Sequence, residues 1–380
     1  MKILFCSNYF SHHQMPLSDA LDELTENNYY FLAYKEMDAE RKSLGWGRGL
    51  ARPYTETLTD GNVQRKLEDL DVLIAGSFPE KLTADYAKHS KLFFRYSERI
   101  FKTGNSLIKY PKRFLHWHMC NPPWRRAYLL CASGFTAGDY AKFGLFRGRC
   151  YQWGYFPETR FYDIRALLAQ KEAGSIFWAG RFLDWKHPDD ALRVAARLRD
   201  DGYNFTLRIA GAGVLEPQLR AMVSELHLDG CVQLLGSLRP EQVRCEMERS
   251  RIFLFTSDRR EGWGAVLNEA MNSGCAVVAS DAAGATPFLV KDGVNGSVYH
   301  SGDTQELYEK VRRLLDDTAA QERLGGAAYR TISELWNAET AAERLLQLSQ
   351  ALLDGRDAHK LFADGPCSPA HPLREDWYRK

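Results

Sequence analysis

Ile252-Phe253-Leu254-Phe255, followed after Thr256 by Ser257-Asp258-Arg259-Arg260-Glu261-Gly262-Trp263-Gly264-Ala265-Val266-Leu267-Asn268-Glu269-Ala270-Met271, is the stretch on which the fold turns. The apolar run reads as a buried strand, and the helical pattern over 265–272 stops at Gly274, a common helix terminator. Strand, polar loop and helix in that order are the repeating unit of parallel α/β construction. The loop sets Glu261 at the carboxyl end of the strand. Gly262 and Gly264 let the backbone approach a ligand closely, and the N–H groups opening the helix, Ala265 to Leu267, favour an anion or an electron-rich oxygen. Glu269 follows one turn into the helix, on the side that Ala265 faces. Two carboxylates thus bracket an anion-attracting loop. The competing reading is that Glu261 caps the helix and Glu269 is merely solvated.

The same grammar repeats on either side. A strand over 175–179 runs into Gly180-Arg181-Phe182-Leu183-Asp184-Trp185-Lys186-His187-Pro188 and a helix over 189–199. Arg181 offers a planar fork for phosphate oxygens and Lys186 a mobile point charge, so the loop reads as a diphosphate clamp or as two surface cations. Further strands are expected over 205–210, 232–235 and 276–279, with a Gly211-Ala212-Gly213 turn after the first of them. The N-terminal half gives strands over 2–6, 29–33, 72–75, 92–96 and 127–132, and Pro16 opens a helix through about Leu24. The expected organisation is a domain over 1–155, a linker over 156–174, a second domain over 175–337, a helix over 338–353 packing back toward the first, and a loop or arm over 354–380. Doubly wound domains bind ligands at the carboxyl ends of their strands, which places a site in a cleft between the halves.

The chain has 380 residues, 45% hydrophobic and 26% charged, which excludes collagen, coiled coil and wholesale disorder. A net charge of +1 argues against a general nucleic-acid binder. No apolar run approaches the roughly 18 residues of a membrane span, and the first residues turn polar at Ser7-Asn8, too soon for a secretory signal. The eight cysteines form no Cys-x-x-Cys pair and suit buried thiols better than disulfides or zinc. The expectation is a soluble, cytoplasmic, two-domain protein. Asp69-Leu70-Asp71 precedes the strand over 72–75, so it reads as turn chemistry, and no metal or other cofactor is expected.

In order along the chain, Gly180-Arg181…Lys186, Gly211-Ala212-Gly213, Leu234-Leu235 before Gly236, Glu261…Met271, Gly274-Cys275-Ala276-Val277 and Asp292-Gly293-Val294-Asn295-Gly296 resemble the motifs of the retaining nucleotide-sugar glycosyltransferases of family 4. The resemblance covers about 175–299. It implies the GT-B fold, two Rossmann-like doubly wound domains facing a central cleft, and transfer of a hexose-type sugar to a glycan or lipid-linked acceptor in polysaccharide biosynthesis. Arg181 and Lys186 would hold the donor diphosphate, Glu261 the sugar hydroxyls, and Glu269 the ribose diol. The backbone around Gly262, Trp263, Gly264, Ala265, Val266 and Leu267 would help, and Leu235 and Gly236 would line the base. Trp263 stands where Phe is usual, Ala276 where Pro is usual, and Pro287 where many members carry Glu.

An acceptor-orienting base is expected from the N-terminal half, where His12, His13, His116 and His118 are rivals and Ser97-Glu98-Arg99 is another cleft candidate. The window 95–126 holds eight Lys or Arg against one acid, carries Phe101, Tyr110, Phe114, Trp117 and Trp124 among its aromatics, and reads as an anionic-membrane patch, a site for phosphorylated acceptors, or a solvated basic face. Rival functions remain: a sugar-nucleotide epimerase of the same architecture, a non-catalytic nucleotide-sugar-binding protein, or a dehydrogenase. The last is weak, because the third glycine of the dinucleotide fingerprint falls on Glu216.

Overall fold

Continuous apolar runs such as Ile252–Phe255 and Ala276–Ser280 are buried along their whole length, as parallel strands covered on both faces must be. A computed structural model of the chain describes residues 1–37, 49–58, 66–104, 110–121 and 126–378. These divide into two compact units: Met1–Glu158 with Leu335–Glu375, and Thr159–Glu334 with Asp376–Lys380.

In the first unit, the described strands are β1 (Ile3–Ser7), β2 (Tyr29–Ala33), β3 (Thr55–Thr57), β4 (Val72–Ala75), β5 (Leu92–Ser97), β6 (Ala127–Cys131) and β7 (Cys150–Gln152). They form one parallel sheet in the order β3-β2-β1-β4-β5-β6-β7. The helix Ala338–Leu353 packs on Met15–Leu24 within this unit. In the second unit, β8 (Ser175–Ala179), β9 (Thr206–Ala210), β10 (Val232–Gly236), β11 (Ile252–Phe255), β12 (Ala276–Ser280) and β13 (Ser297–Tyr299) form a parallel sheet in the order β10-β9-β8-β11-β12-β13. Each unit is therefore a doubly wound, Rossmann-like α/β fold.

Three expectations differ from this structure. Residues 159–174, read as linker, lie within the second unit. Asp163 caps the helix Ile164–Gln170 by accepting from the Arg165 and Ala166 amides at 3.1 and 3.2 Å. The Lys171 ammonium is buried and donates to the carbonyls of Met247, Glu248 and Ser250 at 2.9, 3.0 and 2.8 Å. The tail is not a loose arm. Cys367 donates to Gln152 O and Gln152 to Ser368 O, both at 2.8 Å, and Ala370 donates to Cys150 O at 2.9 Å, so the segment covers the edge of β7. Finally, the basic window is only partly a surface. Arg95 is buried on Glu80 and Asn121, and Arg99 is buried on Asp139 and Glu375, because an interior guanidinium needs a carboxylate partner. Lys109, Trp124 and Arg125 of that window lie outside the described residues. Among the described residues no helix is long and apolar enough to cross a membrane.

Candidate functional site

The strand order of the second unit reverses between β8 and β11, which pair directly through Ile252↔Ile176 and Phe253↔Phe177. At such a switch point the following helices leave on opposite faces and open a crevice at the carboxyl ends. The loop after β8 carries Arg181 and Lys186; the loop after β11 carries Glu261.

The two loops are stitched together. Trp178 Nε1 donates to Thr256 Oγ1 at 2.8 Å, and that hydroxyl donates to the Lys186 carbonyl at 2.6 Å. The Asp258 amide donates to Trp185 O at 2.9 Å. The outcome is an ion pair between Lys186 Nζ and Glu261 Oε2, with side chains only 15% and 14% exposed. Ser257 Oγ donates to the same carboxylate oxygen at 3.2 Å. Glu261 therefore faces the other loop and does not cap the following helix. Arg181 is exposed, and its guanidinium has no hydrogen-bond or ion-pair partner among the described residues.

Gly264 begins the helix Ala265–Asn272 at φ +94°, where a Cβ would overlap the Phe255 ring. The Ala265 and Val266 amides open that helix without an acceptor among the described residues. Glu269 is half-buried on the same helix. Trp263 and Leu267, whose backbone is expected at the donor, bury their side chains fully, with the Trp263 indole donating to Asn268 Oδ1 at 2.9 Å. Only their backbone can face the loop. Its other side is held by the turn after β12, where the Gly284 and Ala285 amides donate to the carbonyls of Glu261 and Trp263, each at 3.2 Å.

Gly211 and Gly213 adopt φ of +151° and +153°, and a Cβ on either would collide with the backbone of Gly180 or Phe182. Phe182 N donates to Ala212 O at 2.9 Å and Gly211 N to Gly236 O at 2.8 Å. These glycines let three neighbouring strand ends approach one another. Leu235 and Gly236 end the edge strand β10, Gly236 at φ +69°.

A charge cluster that sequence reasoning missed surrounds Lys186. His187 Nε2 lies 3.3 Å from Asp258 Oδ2, Arg260 bonds Asp258 at 2.8 Å, and Arg260 Nη1 donates to Asp184 at 2.6 Å. Partial burial works to raise the Asp258 pKa, but hydrogen bonds from His187 and Arg260 outweigh it and hold the carboxyl well below its ordinary range. The hydrogen bond to Asp258 raises His187 above its ordinary 6.5 in spite of burial. The signs follow. The His187 contribution is fully present below about pH 6.5 and fades as pH rises through its raised value, while that of Asp258 is lost only in strong acid.

In the first unit the strand order reverses between β1 and β4, and His12 and His13 occupy the loop after β1, with ring centroids 3.9 Å apart. Burial, reinforced by the neighbouring His12, holds His13 well below its ordinary value. His118 lies on the helix Tyr110–Cys120, with Nδ1 2.9 Å from Phe114 O, and its ring rests on that of Phe114. His116 sits one helical turn from Cys120, whose Sγ is 3.8 Å from its ring nitrogens. Glu98 is taken up by Tyr155 OH at 2.6 Å and by Lys102. Asp71 accepts from the Lys2 amide at 2.9 Å and Lys91 at 2.7 Å. Among the described residues no three His, Cys, Asp or Glu cluster as metal ligands.

Among solved structures the chain is similar to HepE of Anabaena in complex with UDP, with TM-score 0.68 at 17% identity over 92% of this chain and 100% of that one. Two Rossmann-like parallel-sheet units and this likeness give the GT-B architecture. Among curated proteins it is 29% identical over 200 residues to the amylovoran biosynthesis glycosyltransferase AmsK of Erwinia amylovora, 51% of this chain and 49% of that protein. It is 30% identical over 159 residues to the D-inositol 3-phosphate glycosyltransferase of Corynebacterium aurimucosum, 40% of this chain and 37% of that protein. The chain spans about half or less of the length of these curated relatives. Residues 161–331, the segment that holds Arg181, Lys186, Glu261 and Glu269, match the family of glycosyl transferases group 1.

Proposed function

We propose that the chain is a nucleotide-sugar-dependent glycosyltransferase that moves a hexose-type sugar, with retention, onto a glycan or lipid-linked acceptor in polysaccharide biosynthesis. The observation that carries this reading is the Lys186–Glu261 pair at the β8/β11 switch point: a cation and a carboxylate, partly desolvated and side by side. In transfer, the bond from the anomeric carbon to the diphosphate oxygen breaks, leaving positive charge on the sugar and negative charge on the leaving group. Lys186 and Arg181 neutralise that anion where it develops, which is the most effective form of electrostatic catalysis. Glu261 accepts hydrogen bonds from sugar hydroxyls, Glu269 from the ribose diol, and the Ala265 and Val266 amides donate to ligand oxygens. With cations in this role, no metal or other cofactor is required. His12 and His13 are the favoured groups for the acceptor side, since they occupy the loop after β1 at the strand-order reversal of the first unit. Burial and the neighbouring His12 keep the His13 ring neutral, which suits it to orient an acceptor hydroxyl by hydrogen bonding more than to take its proton. The Tyr110–Cys120 helix exposes Phe114, Leu115 and Met119, a surface for peripheral contact with anionic lipid that would serve a lipid-linked acceptor; indifference to anionic vesicles at low salt would remove that part.

A thermal-shift panel of UDP-, GDP- and ADP-sugars tests the reading. The true donor at 100 times its Kd is expected to add about 2.7 kcal/mol of stability, with chelator present or absent. A flat panel at millimolar concentration would contradict it.

A further inference from the structure

We propose that His187 is a positioning residue for the donor site: its imidazole, held by Asp258, fixes the left-handed turn that aims Lys186 at Glu261. This rests on the donor reading above and goes beyond it by assigning a residue outside the direct contacts.

The backbone poses the problem. His187 adopts φ +47°, ψ +52°, a region that residues with a Cβ seldom enter, and it immediately precedes Pro188, which further restricts its conformation. The turn is also where Lys186 must change direction, since Asp184–Lys186 is a single 3-10 turn and Pro188–Asp200 is the next helix. A conformation that the chain does not prefer persists only when its surroundings impose it. The surroundings here are the loop after β11. The imidazole meets Asp258, the Trp185 carbonyl accepts from the Asp258 amide, and the Lys186 carbonyl accepts from Thr256. Arg260 completes the clasp by bridging Asp258 and Asp184 while lying over the Trp185 ring at 5.6 Å. Every residue from 184 to 187 thereby touches the loop that carries Glu261.

The charged groups that face His187 are Asp258 from the neighbouring loop and Asp189 and Asp190 from its own helix, with Arg260 beyond Asp258 and Arg193 beside the two helix acids. Three carboxylates against one ring favour the imidazolium. As pH rises and that charge is lost, the clasp weakens and Lys186 is aimed less well.

Calorimetric titration of the full chain with UDP, GDP and ADP across about pH 5.5 to 8.5 reads this directly, because a diphosphate reports on Lys186 without acceptor or turnover. Two variants separate positioning from plain structure. His187→Gly accepts the left-handed backbone without strain but has no clasp; His187→Asn tolerates that backbone and does not titrate. Both are expected to keep the melting profile, to bind the preferred diphosphate about threefold to tenfold more weakly at the acid end, and to lose the extra decline in affinity that the unaltered chain shows as pH rises. If the unaltered chain binds a diphosphate and both variants match its affinity and pH profile, the positioning role is overturned while the donor reading stands. If none of the three diphosphates binds the unaltered chain, both fall together.

Discussion

Lys186→Ala is expected to lower turnover, measured as release of nucleoside diphosphate, by about 10²- to 10³-fold while the protein remains folded. Lys186 leaves the carboxyl end of β8 at the switch point, and its ammonium already rests against a carboxylate, both side chains being mostly buried. A charge in that setting acts through a lower effective dielectric than a surface lysine, so its removal at the moment a diphosphate departs is costly. The loss is expected in both kcat and kcat/KM, the pattern of an interaction made chiefly in the transition state. The fold survives because Glu261 keeps its hydrogen bond from Ser257 and its carbonyl keeps the Gly284 amide. Lys186→Arg restores charge but with a planar fork in place of a point, so only partial recovery is expected. Unchanged turnover in Lys186→Ala would remove the diphosphate role.

Gly211→Ala is expected to cost about 3 kcal/mol of stability through overpacking and backbone strain. For a unit of this size that lowers Tm by about 6–12 °C, read by thermal denaturation. The added methyl would overlap the Gly180 carbonyl oxygen and press on the Phe182 ring, at a backbone angle of +151° that residues with a Cβ avoid. The obstruction is backbone, so no side-chain rotation relieves it. A comparison with Gly230→Ala is instructive, since nothing lies within 4 Å of a Cβ there and little change is expected. Loss of donor binding with an unchanged Tm in Gly211→Ala would mean that the glycine serves the ligand and not the packing.

That glycine also shows where the sequence was legible and where it was not. The Gly211-Ala212-Gly213 turn announces close approach, but the pattern cannot say close approach to what, and the near neighbour is the backbone of Gly180 to Phe182. Strands β8 to β12 of the second unit were readable to within a residue or two, because a parallel strand buried on both faces is an unbroken apolar run, whereas the three-residue β13, Ser297–Tyr299, was not. β3 and β7 escaped notice, since Thr55–Thr57 and Cys150–Gln152 are too short to show a period. Positions of Lys186 and Glu261 followed from local order alone: each lies just beyond a readable strand. The His187–Asp258 contact joins residues 71 apart, and nothing in either local segment points to the other. Burial of Arg95 and Arg99 was hidden for the same reason, as their partners Glu80, Asp139 and Glu375 lie elsewhere in the chain. Nor did the sequence show that the Trp263 side chain anchors the loop to the core, since its partner Asn268 and the buried surroundings of the ring emerge only in the fold.

A crystal structure of the chain with its preferred nucleotide sugar bound tests the central claim most directly. The expected result is Lys186 Nζ turned from Glu261 toward a diphosphate oxygen, Arg181 closing on the same group, and the Glu261 carboxylate accepting from sugar hydroxyls. A bound nucleotide sugar that left the Lys186–Glu261 pair intact, with its phosphates away from the ends of β8 and β11, would contradict the account.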